Sequence, residues 1–167
     1  YKTCTKQEDN DVCIVQNLVT APTGQLLTAV GLINVTGKVN RMIMQVTVPT
    51  ARLIQPGINL QVDGGQAQRL EYAICMPETC VAEALLTDAM VSSFKKGGEL
   101  VLTSVNYQRT PNPLKISLEG FTQAYDGDPI AQSELQERQR LLQEEMSKKA
   151  EEARKKLEEA QAAAKKN

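Results

Sequence analysis

The residues best suited to chemistry in this chain are four cysteines, Cys4, Cys13, Cys75 and Cys80. Eight residues separate the first two and four separate the last two. Paired ligands of ribbon-type zinc sites usually have two to four residues between them, so a four-thiolate metal centre fits poorly. A Cys-x-x-Cys pair is absent, which argues against thiol–disulfide exchange. The remaining chemistry is structural oxidation: two short-range staples, Cys4 with Cys13 and Cys75 with Cys80, formed in an oxidising compartment. Four cysteines allow three pairings, and the sequence alone does not choose among them. A staple closing so short a loop contributes about 2–3 kcal/mol.

The chain contains no histidine. The commonest general base, the commonest zinc ligand and the usual pH switch are therefore missing together. Ser92, Ser93, Ser104, Ser117 and Ser133 have no histidine to activate them, and no GxSxG or SxxK arrangement surrounds them. Glu8, Asp9, Asn10 and Asp11 gather between the first two cysteines, where a weak calcium site is conceivable. Asp126, Asp128 and Glu134 imitate an EF-hand, but Ile130 holds its fifth position and the required glycine is missing. Both acidic groups read as solvated loop carboxylates, and no cofactor or metal is expected. Asp63-Gly64-Gly65 is a turn without the GxxxxGK context of a phosphate loop. A carboxylate pair for glycoside cleavage depends on spatial separation rather than on a motif, so a carboxylate-dependent hydrolase acting on envelope polysaccharide is the alternative reading.

The elements that must position these residues fall into two regions. Across 167 residues the formal net charge is −1, with two Phe, four Tyr and no Trp. Neither a field for nucleic acid nor a base-stacking surface is present, so no nucleic-acid partner is expected. No apolar run reaches the roughly 18–20 residues of a transmembrane helix. Composition changes at Asp126-Gly127-Asp128-Pro129, which sets a domain at 1–125, a linker at 126–130 and a tail at 131–167. Before the break, strands are expected at 13–19, 26–34, 39–48, 58–62, 68–75, 99–106 and 115–120. Ile58-Asn59-Leu60-Gln61-Val62 alternates cleanly, and Asp63-Gly64-Gly65 tolerates the positive φ of a tight reversal. A helix is expected over 81–96, with Ala82, Leu85, Leu86, Ala89, Met90 and Phe94 on a core face. Lys95 and Lys96 suit its C-terminal dipole, and Gly97-Gly98 its cap. The fold class is mainly β: an antiparallel sandwich or partly closed barrel with one short embedded helix, then a long charged C-terminal helix.

In the tail, Glu144/Lys148, Glu145/Lys149, Glu151/Lys155 and Glu152/Lys156 place Glu four residues before Lys, each worth about 0.2–0.5 kcal/mol. Leu135, Leu142, Met146, Ala150, Ala153 and Leu157 form a candidate partner-binding stripe. Alanines weaken any seam, so the tail reads either as a free charged helix or as one docked on a partner.

The order of features resembles the invasion-associated locus B (IalB-like) family of alphaproteobacteria. The resemblance rests on Tyr1-x-x-Cys4, Cys13, Pro56-Gly57-Ile58-Asn59-Leu60-Gln61-Val62-Asp63, Tyr72-Ala73-Ile74-Cys75 and Cys80-Val81-Ala82. Phe94-Lys95-Lys96-Gly97 and Ser117-Leu118-Glu119-Gly120-Phe121-Thr122-Gln123-Ala124 complete it. Tyr1 stands where the family usually has tryptophan, and the long charged helix after Ala124 departs from the family's short ends. The resemblance implies export to the periplasm or outer surface of a Gram-negative bacterium. The cysteine pattern, in a sequence that starts at Tyr1 without an apolar leader, separately favours a targeting peptide already removed. It implies no catalytic residues, and it links such proteins in pathogens to entry into host cells, notably erythrocytes. The expectation is a non-enzymatic binding or structural module whose partner is a protein of the envelope or of a host cell.

Overall fold

The structure, a computed structural model, describes residues 1–164, with side chains for all but Gln132, Ala153 and 157–164. The chain divides into two units, Tyr1–Pro129 and a second beginning at Ile130.

The first unit is built from hairpins, because apolar residues recur at every second position and turn residues interrupt them. Its strands are β1 (Lys2–Gln7), β2 (Asn10–Thr20), β3 (Leu26–Gly37), β4 (Arg41–Pro49), β5 (Ile58–Val62), β6 (Gln68–Cys75), β7 (Thr79–Leu85), β8 (Glu99–Val105) and β9 (Pro111–Ser117). They form one antiparallel sheet in the order β1-β2-β3-β4-β7-β6-β5-β8-β9. The sheet curls into a half-barrel, so the partly closed barrel is the architecture adopted. Met44, Val46 and Val48 of β4 alternate inward beside Val30 and Leu32 of β3. Ile58 and Leu60 of β5 and Leu100 and Leu102 of β8 line the opposite wall. Helix α1 (Asp88–Lys96) closes the interior with Met90, Val91 and Phe94, the last 2% exposed.

One expected helix is largely a strand. Residues 79–85 form β7, and α1 begins only at Asp88. Cys75 and Cys80 lie directly opposite each other, and Met76 donates to Thr79 across a two-residue loop at 2.7 Å. The returning chain is thus held antiparallel to β6, and Cys80 and Ala82 pack inward while β4 pairs the other side. Sheet pairing on both sides overrides the helix preference of Ala82, Ala84 and Leu85. The helix starts where Thr87 Oγ1 accepts the Met90 N–H at 3.2 Å, an N-cap with Asp88 in the first turn. The second staple therefore joins two strands, not a strand and a helix. Two further differences concern segments whose local signals were weak. β1 pairs with β2 although its residues are mostly polar. The last strand runs from Pro111 to Ser117 rather than over 115–120, and 121–126 is helix α2.

Asp63 ties the β5–β6 turn to the connection between α1 and β8. With φ at +49° it occupies the left-handed region. Its carboxylate accepts the Gly98 N–H at 3.0 Å and the Glu99 N–H at 2.8 Å, and its own N–H donates to Glu99 O at 3.0 Å. Glycine suits position 97 next to it, because a Cβ there would crowd Val62 Cγ1 and meet the Ser93 carbonyl oxygen at 2.9 Å.

The second unit is α3 (Gln132–Ala164). Its ion pairs run along the helix: Arg138–Glu134 at 2.7 Å, Arg140–Glu144 at 2.7 Å, Lys149–Glu145 at 3.0 Å and Lys155–Glu151 at 3.1 Å. No helix among the described residues is long and apolar enough to cross a membrane.

Replacing Asp63 by Ala removes two backbone caps and a residue that tolerates positive φ. Urea unfolding of Asp63→Ala is expected to show a loss of about 1–3 kcal/mol, with Asp63→Asn retaining a good part of it. Equal stability of wild type and Asp63→Ala would show that the turn holds itself.

Candidate functional site

The half-barrel leaves an opening between its two edges, and a groove of about 410 Å³ lies there. Val15 of β2, Val30 and Leu32 of β3, Phe94 of α1, Leu100 of β8 and Ile116 of β9 line its apolar part. Gln16, Asn17, Ser117 and Glu119 supply polar groups. The volume falls within the roughly 300–1,000 Å³ of ligand sites, as does the mixture of apolar wall and few polar groups. These residues are exposed to one another because of sheet curl: residues far apart in sequence reach the same inner face, and no tenth strand covers them.

Helix α2 (Phe121–Asp126) lies along this opening. Gly120, with φ at +76°, turns the chain out of the sheet, and Phe121 donates back to Leu118 O at 3.0 Å. Phe121 stacks edge-on against Phe94 with centroids 5.8 Å apart, and Tyr125 packs on Phe121 at 5.5 Å. Phe121 and Ala124 border the larger groove. Tyr125 borders a second cavity of about 100 Å³, which shares Val15 and Leu32 and also touches Cys13.

Two lysines hold α2. Lys2 Nζ donates to the carbonyls of Tyr125 and Gly127, both at 3.1 Å, as a cation at a helix C-terminus does. Lys95 Nζ meets both oxygens of Asp126, at 2.7 and 2.9 Å, and sits 5.0 Å from the Tyr125 ring centroid. Burial raises the Tyr125 phenol above its usual range, against the lowering effect of Lys95, while Asp88 and Asp126 raise it further. Tyr72 is raised as well, by burial and against Arg52.

The cysteines form two disulfides, Cys4–Cys13 across β1 and β2 and Cys75–Cys80 across β6 and β7. Both join directly opposed residues with Cα atoms 4.1 and 4.0 Å apart, the close spacing of non-hydrogen-bonded antiparallel pairs. Cys13 reaches the smaller cavity, whereas the Cys75–Cys80 staple caps a hairpin tip between exposed Ile74 and Met76.

The other sequence candidates serve structure. Asp9 pairs with Lys38, and Asn10 Oδ1 accepts the Val39 N–H at 3.0 Å. Asp126 is held by Lys95, and Glu134 pairs with Arg138 inside α3, so these two acidic residues of the EF-hand imitation serve different contacts. Among the described residues Glu119 is the one carboxylate lining the groove, so no facing pair of acids is assembled there among them. On α3, Leu142 and Met146 are 59% and 47% exposed, Ala150 is exposed and Leu135 is half-buried. The side chains of Ala153 and Leu157 lie outside the described residues. At 100° per residue all six positions fall on one stripe of the helix. The groove itself escaped the sequence reading, since six elements contribute to it and α2 carries no capping side chain to announce it.

The family described as "Invasion associated locus B (IalB) protein" matches residues 1–129. Invasion protein B homologs of Brucella abortus strain 2308 and of Brucella abortus biovar 1 strain 9-941 are each 30% identical to this chain over 126 residues. That stretch covers 74% of this chain and 71% of each relative. The crystal structure of invasion associated protein B from Bartonella henselae matches the fold with a TM-score of 0.65 at 21% identity, covering 75% of this chain and 86% of that one.

Removing the Lys2 amine frees two carbonyls at the end of α2. In Lys2→Ala, amide exchange across Phe121–Asp126 is expected to accelerate while the β4 and β7 amides keep their protection. Uniform acceleration would mean that Lys2 stabilises the whole sheet instead. Because the folded-state pKa of Tyr72 and Tyr125 is raised, the neutral phenols contribute stability below pH about 10 that is lost as pH rises beyond it. Tyr125→Phe should therefore flatten the alkaline fall in unfolding free energy, and an unchanged alkaline limb would remove this assignment.

Proposed function

Since the chain belongs to the invasion associated locus B (IalB) family, we propose that it is an exported, non-enzymatic binding module of a Gram-negative envelope or cell surface. Its task is to contact another protein, in the envelope or on a host cell such as an erythrocyte. The observation that carries this reading is the open apolar groove in a half-barrel stapled by two disulfides. Covalent ties between directly opposed strands suit a small domain working where thiols oxidise. A groove of this size, framed by polar groups but carrying a single carboxylate, suits recognition better than carboxylate-dependent hydrolysis.

The tail, 131–167, is proposed as a separate partner-contacting module after the linker at 126–130. Leu135, Leu142, Met146, Ala150, Ala153 and Leu157 form its contact stripe. The intrahelical ion pairs hold the helix without help from a core, which leaves that stripe for a partner. The family match ends at residue 129, so this contact is an addition to whatever the family domain does.

Cross-linking in the native envelope, followed by capture of the full chain and of a chain ending at residue 129, tests both parts. The full chain is expected to retain protein neighbours that the shortened chain loses. Identical neighbour sets would remove the tail's role, and turnover of an envelope polysaccharide by the purified protein would remove the non-enzymatic reading.

A further inference from the structure

The backbone beside the groove is chemically selective. Leu118 N–H donates to Gly98 O at 3.0 Å, and Thr110 O accepts from Asn106 N–H at 3.0 Å. Both even-numbered residues thus face β8, and alternation along β9 turns the odd-numbered ones outward. The outward positions are Pro111, Pro113, Lys115 and Ser117. Proline has no N–H to offer, so the first two blunt the free edge, a usual protection against unwanted strand pairing. Lys115 and Ser117 keep their donors, and they flank Ile116, whose side chain lines the groove. The guarded half of this edge lies away from the groove and the unguarded half lies on it.

The facing wall repeats the pattern. Gln16 exchanges both backbone bonds with Tyr1, at 2.8 and 3.1 Å, so the even-numbered residues of β2 face β1. β1 starts there, and Leu18 beyond it presents its backbone to the same groove with a side chain 48% exposed. An apolar ligand without hydrogen-bonding groups would use the side chains of this groove and leave both backbone edges unused.

We propose that the groove receives an extended segment of a partner protein, which adds to the Lys115–Ser117 edge of β9 as a tenth strand and turns alternate apolar side chains toward Val15, Leu32 and Phe94. This deepens the binding reading above and rests on it. Backbone pairing would supply affinity, and the alternation of apolar residues would supply selectivity. The Pro111-x-Pro113 series also indicates how to block the site without disturbing β8, because a proline at 115 loses only an outward donor.

The test uses the full chain and a fluorescein-labelled nonapeptide of alternating threonine and valine flanked by lysines. Saturable anisotropy is expected, together with slowed amide exchange at Lys115 and Ser117. Lys115→Pro should weaken binding about tenfold, the loss of roughly one net hydrogen bond. Lys115→Ala, which also breaks the exposed Lys115–Glu99 ion pair, should bind as wild type. An analogue methylated on every backbone nitrogen should bind weakly despite keeping its side chains. Absence of saturable binding overturns the proposal, as does equal binding by the two Lys115 variants. Equal binding by the methylated analogue, with displacement by laurate, shows a groove for apolar chains of any backbone and also overturns it. Neighbours still captured in the envelope after such a result would leave the binding reading standing and remove only the strand.

Discussion

A sheet has to cover its apolar face and satisfy its two edges, and this fold meets the first demand far more fully than the second. Nine strands curl around one core, with α1 filling the interior through Phe94. Sheets of this size curl because each strand carries a right-handed twist, and closing the ring would need strand number, tilt and stagger to agree. Here the ring stays open between β9 and the β1–β2 edge. The apolar residues at that opening, Ile116 and Val15 among them, are there because of the curl, and α2 covers only part of them.

The covering is electrostatic as much as apolar. Helix α2 has no buried residue of its own, and it is kept in place by Phe121 on Phe94 and by the amines of Lys2 and Lys95. Those contacts come from two elements only: Lys2 lies on the first edge strand, and Phe94 and Lys95 both lie on the interior helix α1. The piece next to the groove is therefore among the least buried of the first unit. Such pieces open at lower free energy than core strands, a property that binding sites commonly use.

The sequence disclosed the β character and the charged C-terminal helix, because alternation and Glu-to-Lys spacing are local signals. Ile58–Val62 and its Asp63-Gly64-Gly65 reversal could be read almost directly. Strand β7 could not, since Ala82, Leu85 and Leu86 carry a helical period whose meaning changes once β4 and β6 pair on either side. Strand β9 was displaced for a related reason: Pro111 and Pro113 look like breakers until their outward placement on an edge is known. The groove was invisible because its walls come from β2, β3, α1, β8, β9 and α2, which only the curl assembles.

The two sulfur bridges have a consequence for how the chain reaches this shape. Each spans a hairpin of adjacent strands, so each fixes which residue stands opposite which before any distant segment arrives. A slip by one residue would send every side chain of a strand to the wrong side, and a bridge between opposed partners forbids that slip. Two of the eight strand junctions are thus aligned in an oxidised but otherwise unstructured chain. The conformational search left to the polypeptide concerns mainly the longer-range joins, β4 to β7 and β5 to β8, where loop closure is slow.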